Sequence, residues 1–215
     1  HGIKVSGSDN SDSQILKALA ALGADIYLGH DAKNVEGADL IVYSNAINSV
    51  NCERQAAGTI PMITRAAALA LLMSESISIA VAGTHGKTTT SSMLTVAMQA
   101  CGADPSFAIG GLLKSSGSNA HRGTGKYFVA EADESDGSFV AYHPNGAVIT
   151  NVEWDHVDHF KSEADVIEAF KQFVGTISRD GFLVFCADDE LATRVKGFGR
   201  SFSHYTVDLR VREET

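Results

Sequence analysis

The sequence is poor in cysteine: Cys52, Cys101 and Cys186 are the whole complement of a 215-residue chain. An odd, widely spaced set with no Cys-x-x-Cys pair fits neither a disulfide framework nor a zinc site. It reads as small buried apolar residues in a reducing compartment. Positive charge is also scarce, with 17 Lys+Arg against 26 Asp+Glu and a net charge of −9. With no basic run to offset that balance, the composition argues against sequence-independent binding to DNA or RNA. A long hydrophobic run is missing too. The longest apolar-looking stretch, Ala66–Ala82, follows Arg65 and is broken by Ser74-Glu75-Ser76, which excludes a membrane span. No basic segment followed by an apolar one opens the chain, so no signal peptide is expected. Internal repeats and low-complexity tracts are absent.

What is present supports a packed core. Hydrophobic residues make up 44% and charged residues 20% of the chain, and the length suits one to two domains. The chain opens on His1 and enters a strand-like run, Ile3-Lys4-Val5, at once; it stops at Arg210–Thr215 with no closing core element. It therefore reads as cut at both ends.

Short apolar runs alternate with helical patterns. After Ile3–Val5 comes a helix carrying Ile15, Leu16, Leu19 and Leu22, with Ser11 and Gln14 as a capping pair and Gly23 as its stop. Strands are expected at Asp25–Leu28, Asp39–Tyr43 and Pro61–Ile63, and helices over Asn51–Ala57 and Arg65–Met73. Further on, Ile77–Ala82 reads as a buried strand and Lys87–Cys101 as a helix with Met93, Leu94, Ala97 and Cys101 on its inner face. Strands follow at Tyr127–Ala130 and Ala147–Thr150. Ser162–Ile177 is a helix with Val166, Ile167, Phe170, Phe173 and Val174 as its stripe. Phe182–Phe185 (strand), Asp188–Val195 (helix) and Phe202–Tyr205 (strand) complete the series. Gly110–Gly125 reads as a long loop near a site. Such alternation predicts parallel sheets with helices on both faces. The fold class is α/β: an incomplete Rossmann-like N-terminal domain over 1–74, then a P-loop-type α/β ATPase domain with a mainly parallel sheet over 75–215.

The sharpest motif is Gly83-Thr84-His85-Gly86-Lys87-Thr88-Thr89-Thr90, between a strand and a helix. Glycines let backbone N–H groups converge on an anion, and the positive end of the helix adds to the attraction. Lys87 would bring a mobile charge to the β- and γ-phosphates, and Thr88 a hydroxyl to Mg²⁺. The general phosphate-loop pattern places glycine where this chain has Val81. His85 faces substrate or caps the loop.

Two strand ends are acidic. Tyr127–Ala130 runs into Glu131, Asp133, Glu134 and Asp136, and Ala147–Thr150 into Asn151, Glu153, Asp155, His156 and Asp158. Ligands of open α/β sheets bind beyond the carboxyl ends of strands, so these segments and the phosphate loop can share one crevice. Clustered carboxylates raise one another's pKa unless a cation joins them, which a Mg²⁺–nucleotide complex would do. Glu131, first after its strand, reads as a metal ligand and His156 as a ligand or orienting residue. Glu134, Asp136 and Asp158 read as solvated turns or supporting groups.

Together, Ser6-Gly7-Ser8-Asp9, Ser44-Asn45-Ala46-Ile47, the phosphate loop, Gly110-Gly111, Glu131–Asp136 and Thr150–His156 resemble, in order, the motifs of the Mur ligase family. The loop histidine and Ser135 tilt the resemblance toward the alanine-adding member. The resemblance implies a UDP-sugar domain, a central ATPase domain and a C-terminal domain, of which this chain would lack the first glycine-rich loop and the last domain. It implies an ATP-dependent, cytoplasmic ligase of peptidoglycan biosynthesis that joins L-alanine to the carboxylate of UDP-N-acetylmuramate through an acyl phosphate. It implies that Gly83, Thr84, His85, Gly86, Lys87, Thr88 and Thr89 hold ATP. Thr88 and Glu131 would bind one Mg²⁺, and Glu131 and His156 a second, with Lys87, Glu131 and His156 catalytic. For the UDP-sugar, Asp9 is either a ribose contact or a turn residue leading the first helix; Ser44, Ala46 and Asn151 are weaker candidates. The rivals are another Mur-type ligase, such as the murein tripeptide ligase, and a P-loop nucleotide-binding module without ligase activity.

Overall fold

In the computed structural model, which describes residues 3–195 and 206–209, the chain divides into two compact units, His1–Arg65 and Ala66–Thr215. The N-terminal unit holds two small strand–helix–strand motifs. Strand β1 (Ser6–Asp9) pairs in parallel with β2 (Asp25–Leu28) across helix α1 (Gln14–Ala21). Strand β3 (Ile41–Tyr43) pairs in parallel with β4 (Met62–Thr64) across helix α2 (Cys52–Ala56). The first strand is thus displaced from Ile3–Val5, which meets β2 through the Val5 carbonyl, accepting from the Asp25 N–H at 3.0 Å, and through Lys4 Nζ, 3.1 Å from Asp25 Oδ2. Ser13, not Ser11, caps α1 by accepting from the Leu16 N–H at 3.3 Å.

The C-terminal unit opens with helix α3 (Arg65–Ser74), which begins at the division, and is built on β5 (Ile77–Ala82). After β5 come helix α4 (Lys87–Ala100), β6 (Ser106–Ala108), the short β7 (Ala120–His121) and β8 (Tyr127–Glu131). Then follow β9 (Gly146–Ile149), helix α5 (Glu163–Thr176), β10 (Phe182–Cys186), helix α6 (Glu190–Val195) and β11 (Thr206–Leu209). The seven strands form one sheet in the order β11-β10-β9-β5-β8-β6-β7, parallel except for β7 against β6. The expected strand at Phe202–Tyr205 lies outside the described residues. β7 sits inside the segment expected to be loop, Gly110–Gly125, and that loop is further tied down by the buried Leu113.

Alternation along the strands explains the layers. On β8, Phe128 and Ala130 face a large core with β5, β9, α5 and α6, while Val129 faces a smaller one with Phe107, Ile109 and Leu113 against Leu94 and Met98 of α4. Helices therefore cover both faces, as an α/β sheet of buried parallel strands requires. All five stripe residues of α5 are buried. Phe139 stacks on Phe173 and meets Phe170 edge-on, with ring centroids 5.0 and 5.2 Å apart.

Helix α4 corrects the expected inner face. Met93, Ala97 and Cys101 are exposed; Ser91 and Thr95 are buried, with Leu94 and Met98 partly so. The buried hydroxyls satisfy themselves within the helix, Ser91 donating to Thr88 O (3.2 Å) and Thr95 to Ser91 O (2.8 Å), so small polar residues can take the packing face. The cysteines are a second correction: they are free thiols, but Cys52 and Cys101 are exposed and Cys186 only half-buried. No helix among the described residues is long and apolar enough to cross a membrane.

Candidate phosphate site

β5 is flanked by β8 and β9, with Val81 opposite Glu131 and Ala82 opposite Ile149. That register delivers the loop after β5 and the acidic ends of β8 and β9 to the same end of the sheet. The loop is built for close approach. Gly83 has φ +133°, and a Cβ there would lie 2.0 Å from Thr150 Oγ1 and 2.9 Å from Asn151 O, so no side chain fits. The two loops are laced together. The Thr84 N–H donates to Asn151 O (3.1 Å), the Glu153 N–H to Thr84 Oγ1 (2.8 Å) and the His85 N–H to Asn151 Oδ1 (2.9 Å). Thr150 Oγ1 and Asn151 Nδ2 both donate to His85 O, at 2.6 and 3.0 Å. Asn151, expected among the substrate contacts, spends its amide on the loop.

Gly86 precedes α4 as its N-cap and offers no side-chain cap, so the first N–H groups of the helix are offered to an anion. Lys87, its first residue, curls back: Nζ donates to Gly83 O (2.8 Å), Thr84 O (3.3 Å) and Glu134 Oε1 (3.0 Å). Thr88 Oγ1 donates to Glu131 Oε1 at 3.0 Å, and the Gly110 N–H holds Glu131 Oε2 at 2.6 Å. A Cβ on Gly110 would sit 2.7 Å from that carboxylate, so glycine is what lets the backbone reach it. His85, outermost in the loop, is exposed and lies 3.7 Å from Glu153 Oε2.

Thr88 and Glu131 therefore meet as the sequence suggests. His156 does not join them as a pair with Glu131; its Nε2 lies 3.6 Å from Glu134 Oε1. No group of three or more His, Cys, Asp or Glu that could hold a metal occurs among the described residues. A hydroxyl and a carboxylate, both hard oxygen donors, nonetheless fit Mg²⁺, which keeps several waters and takes its remaining ligands from phosphates. Glu134, expected to be a solvated turn or a supporting group, is buried against Lys87, which excludes the solvated turn. Its nearest neighbours come from 47 and 22 positions away in sequence, and the residue carries no local signal of burial.

The N-terminal unit has a cavity of about 370 Å³ lined by Asp9, Tyr27, His30, Ser44, Glu53 and Arg54 among others. Asp9 Oδ1 accepts from the Ser11 N–H (2.8 Å), the turn role, while Asp9 also lines the cavity. Ser44 Oγ accepts from the Ala46 N–H at 3.3 Å. Sequence reasoning missed a polar network on this cavity. Glu53 Oε2 accepts from Ser8 Oγ (2.7 Å) and pairs with His30 Nδ1 (3.0 Å), and Oε1 accepts from Asn34 Nδ2 (2.7 Å). Burial pushes the Glu53 carboxyl up, but the hydrogen bonds from Asn34, Ser8 and His30 outweigh it and hold the group below its ordinary value. Arg54 packs over the Tyr43 ring at 4.1 Å. His30, two residues beyond the end of β2, was the available signal, since strand ends are where ligands of α/β sheets gather.

A parallel sheet whose central strand runs through a glycine loop into a helix headed by Lys-Thr, with a carboxylate from the next strand on the threonine, defines a phosphate-loop α/β domain. Residues 81–213 match the Mur ligase middle domain and residues 1–76 the Mur ligase family catalytic domain. The chain is 49% identical over 213 residues to UDP-N-acetylmuramate–L-alanine ligase of Renibacterium salmoninarum, covering 93% of this chain and 46% of that one. The enzyme of the same name from Saccharopolyspora erythraea is 54% identical over 194 residues, covering 87% and 40%. Among solved structures, UDP-N-acetylmuramate:L-alanyl-γ-D-glutamyl-meso-diaminopimelate ligase from Neisseria meningitides superposes with a TM-score of 0.84 at 31% identity, covering 93% of this chain and 68% of that one. The UDP-N-acetylmuramate-alanine ligase MurC of Thermotoga maritima gives 0.79 at 29% identity, covering 89% and 45%. The chain belongs to the Mur ligase family. It spans about half the length of the curated relatives it matches.

Proposed function

We propose that this chain carries the nucleotide-handling part of an ATP-dependent ligase that joins L-alanine to the carboxylate of UDP-N-acetylmuramate in cytoplasmic peptidoglycan synthesis. The observation that carries the reading is the junction at the start of α4, where the Thr88 hydroxyl meets the Glu131 carboxylate at the end of β8 and the neighbouring Lys87 ammonium is folded back over the glycine loop. The names of the curated relatives support the choice of substrates. Residues 1–74 would serve the UDP-sugar, through Asp9 and Ser44 on their cavity, and residues 75–215 the ATP.

Phosphoryl transfer asks a protein mainly for positioning and charge neutralisation. The N–H groups of Gly86–Thr89 cradle the phosphate tail, with Gly83–His85 forming the wall of the loop. Lys87 reaches the β- and γ-phosphates. Thr88 and Glu131 would hold Mg²⁺, with His156 beside a second ion; when bound, the metal supplies positive charge against the phosphate oxygens. A muramate carboxylate oxygen attacks the γ-phosphorus and ADP departs, leaving an acyl phosphate. The alanine amine then attacks the acyl carbon, loses a proton, and inorganic phosphate leaves from the tetrahedral intermediate.

Phosphate release by the natural protein that carries this sequence tests the reading. Release should require both UDP-N-acetylmuramate and L-alanine; release indifferent to both would favour a nucleotide-binding module. Turnover with L-alanyl-γ-D-glutamyl-meso-diaminopimelate in place of L-alanine would favour the murein tripeptide ligase, a reading supported by the Neisseria structure. Lys87→Ala should abolish turnover. Glu131→Ala should raise the Mg²⁺ requirement at least tenfold or eliminate activity, and an unchanged Mg²⁺ titration would refute its role as a ligand.

A further inference from the structure

Nothing in the ligation scheme uses Glu134, although it is the one buried carboxylate among the described residues, at 1% exposure. A carboxylate leaves water at great cost unless it is paired and hydrogen-bonded. Its partner is the Lys87 ammonium, 3.0 Å from Oε1 and 2.8 Å from Oε2, and only the Oε1 contact has hydrogen-bond geometry. An ammonium has three donors. Those of Lys87 are taken by Gly83 O, Thr84 O and Glu134, all inside the protein. A phosphate oxygen that receives a hydrogen bond from Lys87 must therefore displace one of these acceptors. Glu134 is the one that resembles it, an anionic oxygen rather than a carbonyl.

We propose that Glu134 is an internal counter-ion that competes with nucleotide phosphate for Lys87, a positioning residue that weakens nucleotide binding in exchange for holding the lysine in register. The inference rests on the reading of Gly83–Thr88 as a nucleotide-phosphate site. His156 gives the carboxylate a second cationic neighbour: its Nε2 lies 3.6 Å from the same Oε1, on a backbone held at φ +52°. Glu134 thereby joins the phosphate loop to the loop after β9. A residue with only a structural role would lose affinity and rate together on substitution. A competing counter-ion predicts that affinity rises while rate falls.

The test is titration of the full natural chain with ADP in EDTA, followed by calorimetry. Wild type should bind, and Glu134→Gln, which keeps the shape and removes the charge, should bind about tenfold tighter, the scale expected when one charge-assisted contact no longer has to be exchanged. In Mg²⁺–ATP turnover assays the same variant should lower KM for ATP and kcat together, the signature of lost ground-state restraint. Equal or weaker ADP binding by Glu134→Gln, with wild type binding normally, overturns the proposal. If wild type binds ADP only with Mg²⁺, the same comparison is made with Mg²⁺–ADP; absence of ADP binding by wild type both in EDTA and with Mg²⁺ overturns the phosphate-site reading beneath it. If Glu134→Gln does not fold, Glu134→Asp decides by the same titration, because its carboxylate stops one methylene short of Nζ. Thermal melting gives an arm that needs no nucleotide. Lys87→Met should lower Tm by about 10 °C by leaving a buried charge unpaired. Adding Glu134→Gln should restore at least half of that loss, and a double variant no more stable than Lys87→Met overturns the pairing.

Discussion

The two units start from the same strand–helix–strand plan and are held together differently. In the C-terminal unit seven strands share one sheet, and Phe139, Phe170 and Phe173 are wholly buried against it. In the N-terminal unit the strands form two separate pairs, and Val35 and Ala57 are the buried residues among those described. Helix α1 has a clear apolar stripe, yet Ile15 and its C-cap Leu22 are 64% and 84% exposed. Periodicity reports which face of an element is apolar; whether that face is covered depends on other elements. Where apolar cover is thin, polar groups carry more of the order, as in the Ser8–His30–Asn34–Glu53 network.

Glycine substitution should separate the units most strongly. Gly83→Ala sets a Cβ 2.0 Å from Thr150 Oγ1 at a φ of +133°, which forces the phosphate loop away from its partner loop. We expect loss of about 3 kcal/mol and at least 100-fold weaker ADP binding, read by chemical denaturation and calorimetry. Gly7→Ala lies on β1 with nothing within 4 Å of the new Cβ and should change stability by no more than about 0.5 kcal/mol. Similar losses from both would erase the contrast between the units.

Apolar truncation comes next. Phe170, fully buried and edge-on to Phe139, should cost about 3–5 kcal/mol as Phe170→Ala. Leu22→Ala, at a residue 84% exposed, should fall within about 0.5 kcal/mol of wild type in urea unfolding. A large loss from Leu22→Ala would mean that the stripe of α1 is covered in solution.

The same contrast explains what could be read from sequence. The α5 stripe was legible because bulky apolar residues at helical spacing have no other place to go. The phosphate loop was legible because glycine, lysine and threonine between a strand and a helix serve backbone geometry and charge at once. The inner face of α4 was not, because Ser91 and Thr95 return their hydroxyls to the helix carbonyls and pack as if apolar. Glu134 was illegible for a different reason. A carboxylate among four in six residues looks solvated, and only the fold brings Lys87 against it. The Glu53 network was hidden likewise, since Ser8, His30 and Asn34 lie 45, 23 and 19 positions from Glu53 and only the fold gathers them.

Acid should expose the smallest difference and the most specific one. The Glu53 carboxyl feels an upward push from burial, but Asn34, Ser8 and His30 donate to its charged form and bring it below its ordinary value of 4.5. The folded protein therefore holds that proton less tightly than the unfolded chain does. As pH falls past about 4.5 the unfolded state takes up more protons, so the network's contribution is complete above that pH and is lost as pH drops through the lower folded value. Amide exchange in β1 and β2 should accelerate over that interval in wild type. Glu53→Gln, which cannot titrate, should be less protected at neutral pH and should show a flatter pH dependence below 4.5. Retention of the wild-type slope in Glu53→Gln would assign the acid sensitivity elsewhere. It would also remove the argument that polar pairing, rather than a buried core, orders the N-terminal unit.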